Sequence, residues 1–188
     1  MIFVGVDPSS KYVGISVIEV DDVDYTIKNI EVSLLDLTLR RNNTRQDDVT
    51  WRLFDLKNRF RTLLENHDVD VLVLEAGYID TRKPAAYAPL AQSTMLMRHL
   101  AMELDVNFEL YMITPNEAKK TIGLKKIKER PEMTSKDLVL HYIQLSEELK
   151  DLMDYETKTE HEVDAVIIAY KKILDYRSKH VRTDKQTK

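Results

Sequence analysis

The chain contains no cysteine. Disulfides and thiolate metal sites are therefore absent, and any bound metal must be held by Asp, Glu or His. Glycine is scarce, at four of 188 residues, which excludes an architecture with several Gly-rich loops cradling a nucleotide. No apolar run approaches the roughly 20 residues needed to span a bilayer, so a membrane partner is not expected. The sequence opens directly on a strand pattern, and no signal peptide is expected. The net charge of −4 argues mildly against a general nucleic-acid binder. Its distribution says more than its sum. Three stretches are locally basic: 40–61, 119–136 and the segment after Lys171. Lysines and arginines in any one of them most simply solvate helix faces; three such stretches in an acidic chain weaken that reading.

At 188 residues the chain suits one domain with a proper core. Its organising stretch is 2–18. Ile2 to Val6 is an apolar run closed by Asp7 and bounded by the turn cluster Pro8-Ser9-Ser10. A carboxylate at the end of a buried strand is costly to desolvate unless it meets a cation or a donor. Asp7 therefore either ligates a metal or caps the following turn. Gly14 begins a second strand that puts Ile15 and Val17 on one face, Ser16 and Ile18 on the other. Residues 24–35 alternate as a third strand, with a bulge near Lys28-Asn29, completing an antiparallel meander. Residues 36–46 are polar and read as an exposed loop.

A helix follows from Asp47 to Asn66, with Leu53, Leu56, Phe60 and Leu64 at helical spacing. Val71 to Leu74 is a continuous apolar run, as in a parallel strand buried on both faces. It too ends in an acid, Glu75. Adjacent parallel strands ending in acids would set those acids side by side at the carboxyl edge of the sheet, where open α/β sheets bind ligands. A loop leads to a long helix ending at Glu103, and Val106 to Ile113 form a further strand. Thr114 caps a short helix with Pro115 in its first position and Glu117 beyond. Residues 124–133 lack periodicity, carry Pro131 and read as a basic loop. Thr134-Ser135 starts the next helix, residues 147–157 read as acidic and solvated, and Thr159 with Glu162 forms a capping box for the last helix. The expected domain covers 1–178, with a charged tail over 179–188.

That last helix carries His161 and Asp164, three apart and so neighbours on one face. Glu160 and Glu162 suit the first turn, where the helix dipole favours acids. Asp164 leads into Ala165-Val166-Ile167-Ile168-Ala169, a stretch that should be buried, so simple capping explains it less well. Asp7, Glu75, His161 and Asp164 thus form a candidate site. Few carboxylates, with water and phosphate oxygens, are how Mg²⁺ is held. Two such ions are the usual device for phosphodiester hydrolysis.

These residues resemble the motifs of RuvC-like Holliday-junction resolvases, within the RNase H-like superfamily. The opening motif is Gly5-Val6-Asp7-Pro8-Ser9-Ser10 followed by Gly14; the second is Val73-Leu74-Glu75 with Tyr78 three residues on; the last is His161-Glu162-Val163-Asp164-Ala165. Between them, Pro115 to Gly123 resembles the segment before the family's basic loop, and Ser135-Lys136 the lysine after it. The resemblance runs from Ile2 to about Tyr170. It implies an α/β fold, an RNase H-like mixed five-stranded sheet of three antiparallel and further parallel strands flanked by helices. It implies two Mg²⁺ ions per site, with Mn²⁺ as a substitute, held by Asp7, Glu75, Asp164 and His161. Asp7 would bridge both ions, and His161 would ligate or position the attacking water. Lys119 and Lys136 would contact phosphates near the cut, with Lys120 the fallback for Lys119. Tyr78 would stack on or wedge between bases at the crossover, and Lys125, Lys126, Lys128 and Arg130 would bind DNA from the basic loop. The implied partners are four-way or branched DNA and a second copy of the chain, with Leu90, Met95, Leu96 and Met97 available as a dimer face. The implied activity is paired phosphodiester hydrolysis without a nucleotide cofactor, in the cytoplasm, or a host's cytoplasm for a phage protein.

The basic loop is longer and richer in lysine than the family's usual Gly-rich form, and residues 20–44 are more polar. Both departures suit a viral or phage relative with looser selectivity for branched DNA. Two other readings share the motifs: a non-catalytic branched-DNA-binding protein of the same fold, and an RNase H-type nuclease of RNA–DNA hybrids. An actin-like ATPase shares the opening stretch, but it needs a Gly-rich adenosine site that Gly77 and Gly123 alone do not supply.

Overall fold

The computed structural model describes residues 1–38, 48–77, 84–104, 108–121 and 135–186. Its strands are β1 (Ile2–Asp7), β2 (Tyr12–Val20), β3 (Ile27–Asp36), β4 (Val71–Glu75) and β5 (Glu109–Ile113). Its helices are α1 (Asp48–Asn66), α2 (Pro84–Glu103), α3 (Pro115–Thr121), α4 (Ser135–Leu145) and α5 (Glu160–Gln186). The strands form one sheet in the order β3-β2-β1-β4-β5. β1, β2 and β3 are antiparallel neighbours, whereas β4 runs parallel to both β1 and β5. This is the mixed five-stranded architecture that the family resemblance implied. The bulge also falls where the alternation broke: Glu19 pairs with Asn29 but Val20 with Ile27, leaving Lys28 as the extra residue.

Strand alternation divides the core in two. Val4, Val6, Val13, Ile15, Leu72 and Leu74 pack with Leu56, Phe60 and Leu64 of α1 and Met97 and Leu100 of α2. Phe3, Ile18, Val71 and Val73 face the other way, onto Val163, Val166, Ile167 and Tyr170 of α5 and Val139 and Ile143 of α4. Every odd-numbered residue of β1 and β4 therefore points toward α5, and Asp7 and Glu75 are odd-numbered.

Helix α5 begins where its capping box says it should. Glu162 accepts hydrogen bonds from the Thr159 amide and hydroxyl, both at 2.9 Å, and its own amide donates to Thr159 Oγ1 at 3.3 Å. Thr114 and Glu117 make the same reciprocal pair at the start of α3. Beyond its cap, α5 is buried from Ala165 through Tyr170 without an outward face, and it continues as helix to Gln186.

Two expectations change. Residues 147–157 are not simply solvated: Leu149 and Tyr155 are buried in the core beneath α5, and Tyr155 sits in a single 3-10 turn. The acidic side chains hid this, because only two apolar residues are needed to anchor the segment. Glu148 from it accepts from Tyr170 at 3.0 Å and pairs with Arg177, which also donates to the Tyr25 carbonyl at 3.1 Å. Of the apolar residues on α2, Met97 is fully buried and Leu96 packs against the core, while Met95 is 58% exposed. The helix stripe is thus mostly core.

The closest packing is between α5 and the β1–β2 hairpin. A methyl group on Gly14 would collide with the His161 carbonyl, and one on Gly5 with the Ala165 carbonyl. Gly14→Ala is expected to lower the unfolding free energy by about 1–3 kcal/mol, the usual cost of overpacking, in urea melts of the purified protein.

Candidate active site

The site follows from three placements. β1 and β4 pair in parallel with Val6 opposite Leu74, so Asp7 and Glu75 come next at the same edge. Both project toward α5. The N-terminal turn of α5 crosses that edge, because Gly5 and Gly14 let its backbone lie directly on β1 and β2. Ser16 Oγ, fully buried, donates to the Ala165 carbonyl at 2.9 Å and fixes the helix's position along the hairpin. His161 and Asp164 then arrive over Asp7 and Glu75.

The side chains engage at once. Asp7, only 7% exposed, has Oδ2 at 2.5 Å from Nδ1 of His161. This bond holds the imidazole positively charged to higher pH than usual, against the opposing effect of burial. Lys119, from α3, sits with its ammonium 3.7 Å from Asp164. The carboxyls pay for their enclosure: burial, with Asp7 and Asp164 nearby, pushes Glu75 up to about 8. Burial, offset in part by Lys119, pushes Asp164 up to about 6. Two acids that resist ionisation, beside a third, form a concentrated negative site short of cationic charge.

The donor set fits a hard divalent cation. It offers three carboxylates from three elements, one imidazole and no sulfur. Among the described residues no three His, Asp or Glu side chains already converge on a single point at ligand spacing. Instead, Asp7 engages His161 and Asp164 faces Lys119.

The remaining sequence candidates divide. Lys119 lies at the site, and Lys120 is exposed one residue further along α3. Lys136 is in the first turn of α4, with its side chain outside the described residues, as are Tyr78, Lys125, Lys126, Lys128 and Arg130. In the outer two basic stretches, several of the described cations are engaged within the chain. In α1, Arg52 and Arg59 pair with acids four residues earlier, and Arg61 reaches Glu103 of α2. In α5, Lys171 pairs with Asp175 and Arg177 with Glu148, while the Lys172 ammonium lies 3.0 Å from the centre of the Tyr111 ring. Sequence reasoning did not single out Tyr12 or Ser16. The signal was available in their parity, since both share the face of Gly14 on β2.

Comparison with known proteins follows the same lines. The family model described as "Crossover junction endodeoxyribonuclease RuvC" matches residues 3–169. No curated protein sequence matches the chain. Among solved structures, Thermus thermophilus RuvC in complex with Holliday junction substrate superposes with a TM-score of 0.66 at 15% identity, covering 91% of this chain and 92% of that one. The yeast mitochondrial Holliday junction resolvase Ydc2 gives 0.61 at 16% identity, covering 96% and 83%. The fowlpox virus resolvase, in complex with substrate Holliday junction DNA, gives 0.54 at 17%, covering 95% and 98%. At these identities the likeness establishes a common fold.

The raised carboxyls make stability depend on pH. Glu75 and Asp164 bind protons more tightly folded than unfolded, and so does His161. The contribution of the two carboxyls is therefore fully present below the ordinary carboxyl range and is lost as pH rises through about 6 for Asp164 and about 8 for Glu75, while that of His161 is present below the ordinary histidine value and is lost as pH rises through its own raised one. Thermal melts of metal-free protein are expected to fall in midpoint across that window, and added Mg²⁺ to recover more of the loss at its alkaline end.

Proposed function

The chain belongs to the RuvC family of crossover junction endodeoxyribonucleases, and we propose that Asp7, Glu75, Asp164 and His161 are the residues with which it hydrolyses phosphodiester bonds in branched DNA. The family activity is junction-resolving, structure-selective endonucleolysis, and enzymes of this kind depend on a divalent metal. The observation that carries the residue assignment is the register of β1 against β4. It places two acids side by side on the one sheet face that the N-terminus of α5 covers with a third acid and a histidine.

Two Mg²⁺ ions, with Mn²⁺ as a substitute, would be held by the three carboxylates, and when bound they supply activation of water and charge stabilisation of the leaving oxygen. The chain's own contributions are separable. Asp7 accepts from Nδ1 of His161, which leaves Nε2 clear of that bond for a ligand or for the attacking water. Glu75 and Asp164 must ionise to serve, which their environment opposes until cationic charge enters. Lys119 partly offsets that opposition and stands where a scissile phosphate would gain a counter-charge. By the family resemblance, Lys120, Lys136, Tyr78 and Lys125, Lys126, Lys128 and Arg130 would bind the DNA. A four-way junction with two strands to cut matches a homodimer with two such sites. The long lysine-rich loop supports a viral or phage type of relative, acting in its host's cytoplasm.

The test is cleavage of a synthetic four-way junction with Mg²⁺, beside a linear duplex and an RNA–DNA hybrid of matched sequence. Paired nicks on the junction are expected, scarce on the other two. Asp7→Asn is expected to bind the junction but to lose more than about a hundredfold in cutting, beyond what outer-shell changes cost. Tight junction binding without cutting in either metal would instead mark a non-catalytic binding protein, and preference for the hybrid an RNase H-type nuclease.

A further inference from the structure

We propose that Tyr12 is a positioning residue of this site: its ring, stacked on the His161 imidazole, holds that imidazole in the one orientation that pairs Nδ1 with Asp7 and leaves Nε2 clear of that bond. The ring centroids lie 6.2 Å apart with 28° between planes, within the offset-stacked range of aromatic pairs. Tyr12 reaches His161 because it shares the parity of Gly14 and Ser16 on β2, and thus faces α5. With it, His161 is held at three points by one hairpin. Asp7 of β1 takes Nδ1, Gly14 of β2 receives its backbone carbonyl, and Tyr12 of β2 covers one face of its ring.

Tyr12 is itself braced. Ser9 Oγ accepts from the amides of Lys11 and Tyr12 at 3.3 and 3.4 Å. Arg52 of α1 donates to the Ser10 carbonyl at 2.7 Å, and the Leu37 amide donates to the Lys11 carbonyl at 2.8 Å. A hairpin tip tied down from two other elements delivers the ring at a defined height. The Tyr12 hydroxyl has no hydrogen bond among the described residues, so the ring alone makes the contact and phenylalanine is expected to serve as well. Without the ring, the contact with Asp7 is the side-chain hydrogen bond that His161, a third exposed, retains among the described residues.

The consequence for cutting rests on the nuclease reading above; the orientation itself does not. The experiment therefore pairs two readouts. Long-range ¹⁵N–¹H spectra of metal-free protein report the imidazole tautomer and its homogeneity, the His161 signals being identified by their loss in His161→Gln. Turnover and affinity are measured separately on a four-way junction with Mg²⁺. With the imidazole neutral, above the raised His161 titration, the wild type is expected to show one His161 signal set with the proton on Nδ1. Tyr12→Ala is expected to split or broaden that set and to slow cutting of bound junction about tenfold, with junction affinity unchanged. Tyr12→Phe is expected to restore both. Should Tyr12→Ala fail to fold, Tyr12→Leu, which keeps apolar bulk without a ring, makes the same comparison. An undisturbed His161 signal set in the ring-less variant overturns the proposal. So does a loss of junction affinity with normal turnover once bound, which would make Tyr12 a DNA contact. If the wild type cuts no branched DNA, the functional reading falls while the spectra still decide the role of Tyr12.

Discussion

Between the start of α5 and strands β1 and β2 there is no room for a methyl group, and the candidate site exists because of that contact. Two side-chain-free positions, Gly5 and Gly14, meet the carbonyls of Ala165 and His161. The helix carries Ala165 and Ala169 along this seam, and Ser16 reaches across it to the Ala165 carbonyl. Helix and sheet normally keep a full layer of side chains between them. Removing that layer brings His161 to hydrogen-bonding distance of a strand-end aspartate. Scarce glycine in this chain is thus spent where backbone must touch backbone.

The same closeness sets the electrostatic character of the site. Three carboxyls share a poorly hydrated edge, and burial is the largest influence on both Glu75 and Asp164. Such an arrangement costs stability in the free protein and is repaid only by cationic charge. His161 and Lys119 supply part of it, each through one acid. Acids crowded at a buried edge are the groups that a nearby cation would stabilise most.

Positive charge in the chain has two distinct employments. Arginines of α1, and Lys171, Lys172 and Arg177 of α5, are engaged by pairing, by a stacked tyrosine ring, or by the carbonyls of the β1–β2 and β2–β3 turns. Lys119, at the other end of the sheet face, addresses the acids. A basic stretch read from sequence counts charges; packing decides which of them remain available to an anionic partner.

How far the sequence reaches can be judged residue by residue. Two continuous apolar runs, each closed by an acid, determined that Asp7 and Glu75 end buried strands, and the capping box at Thr159–Glu162 determined where α5 begins, so that His161 and Asp164 share its first turns. These are local properties, set by which side chains a pleated strand or a helical turn can bury or cap. Burial of Leu149 and Tyr155 within an acidic segment, the pairing of Arg177 with Glu148, and the stacking of Tyr12 on His161 were decided only in three dimensions. Each joins residues far apart in the chain, and which of them meet depends on how closely α5 approaches the sheet, a distance set by the absence of two side chains rather than by any pattern in those present.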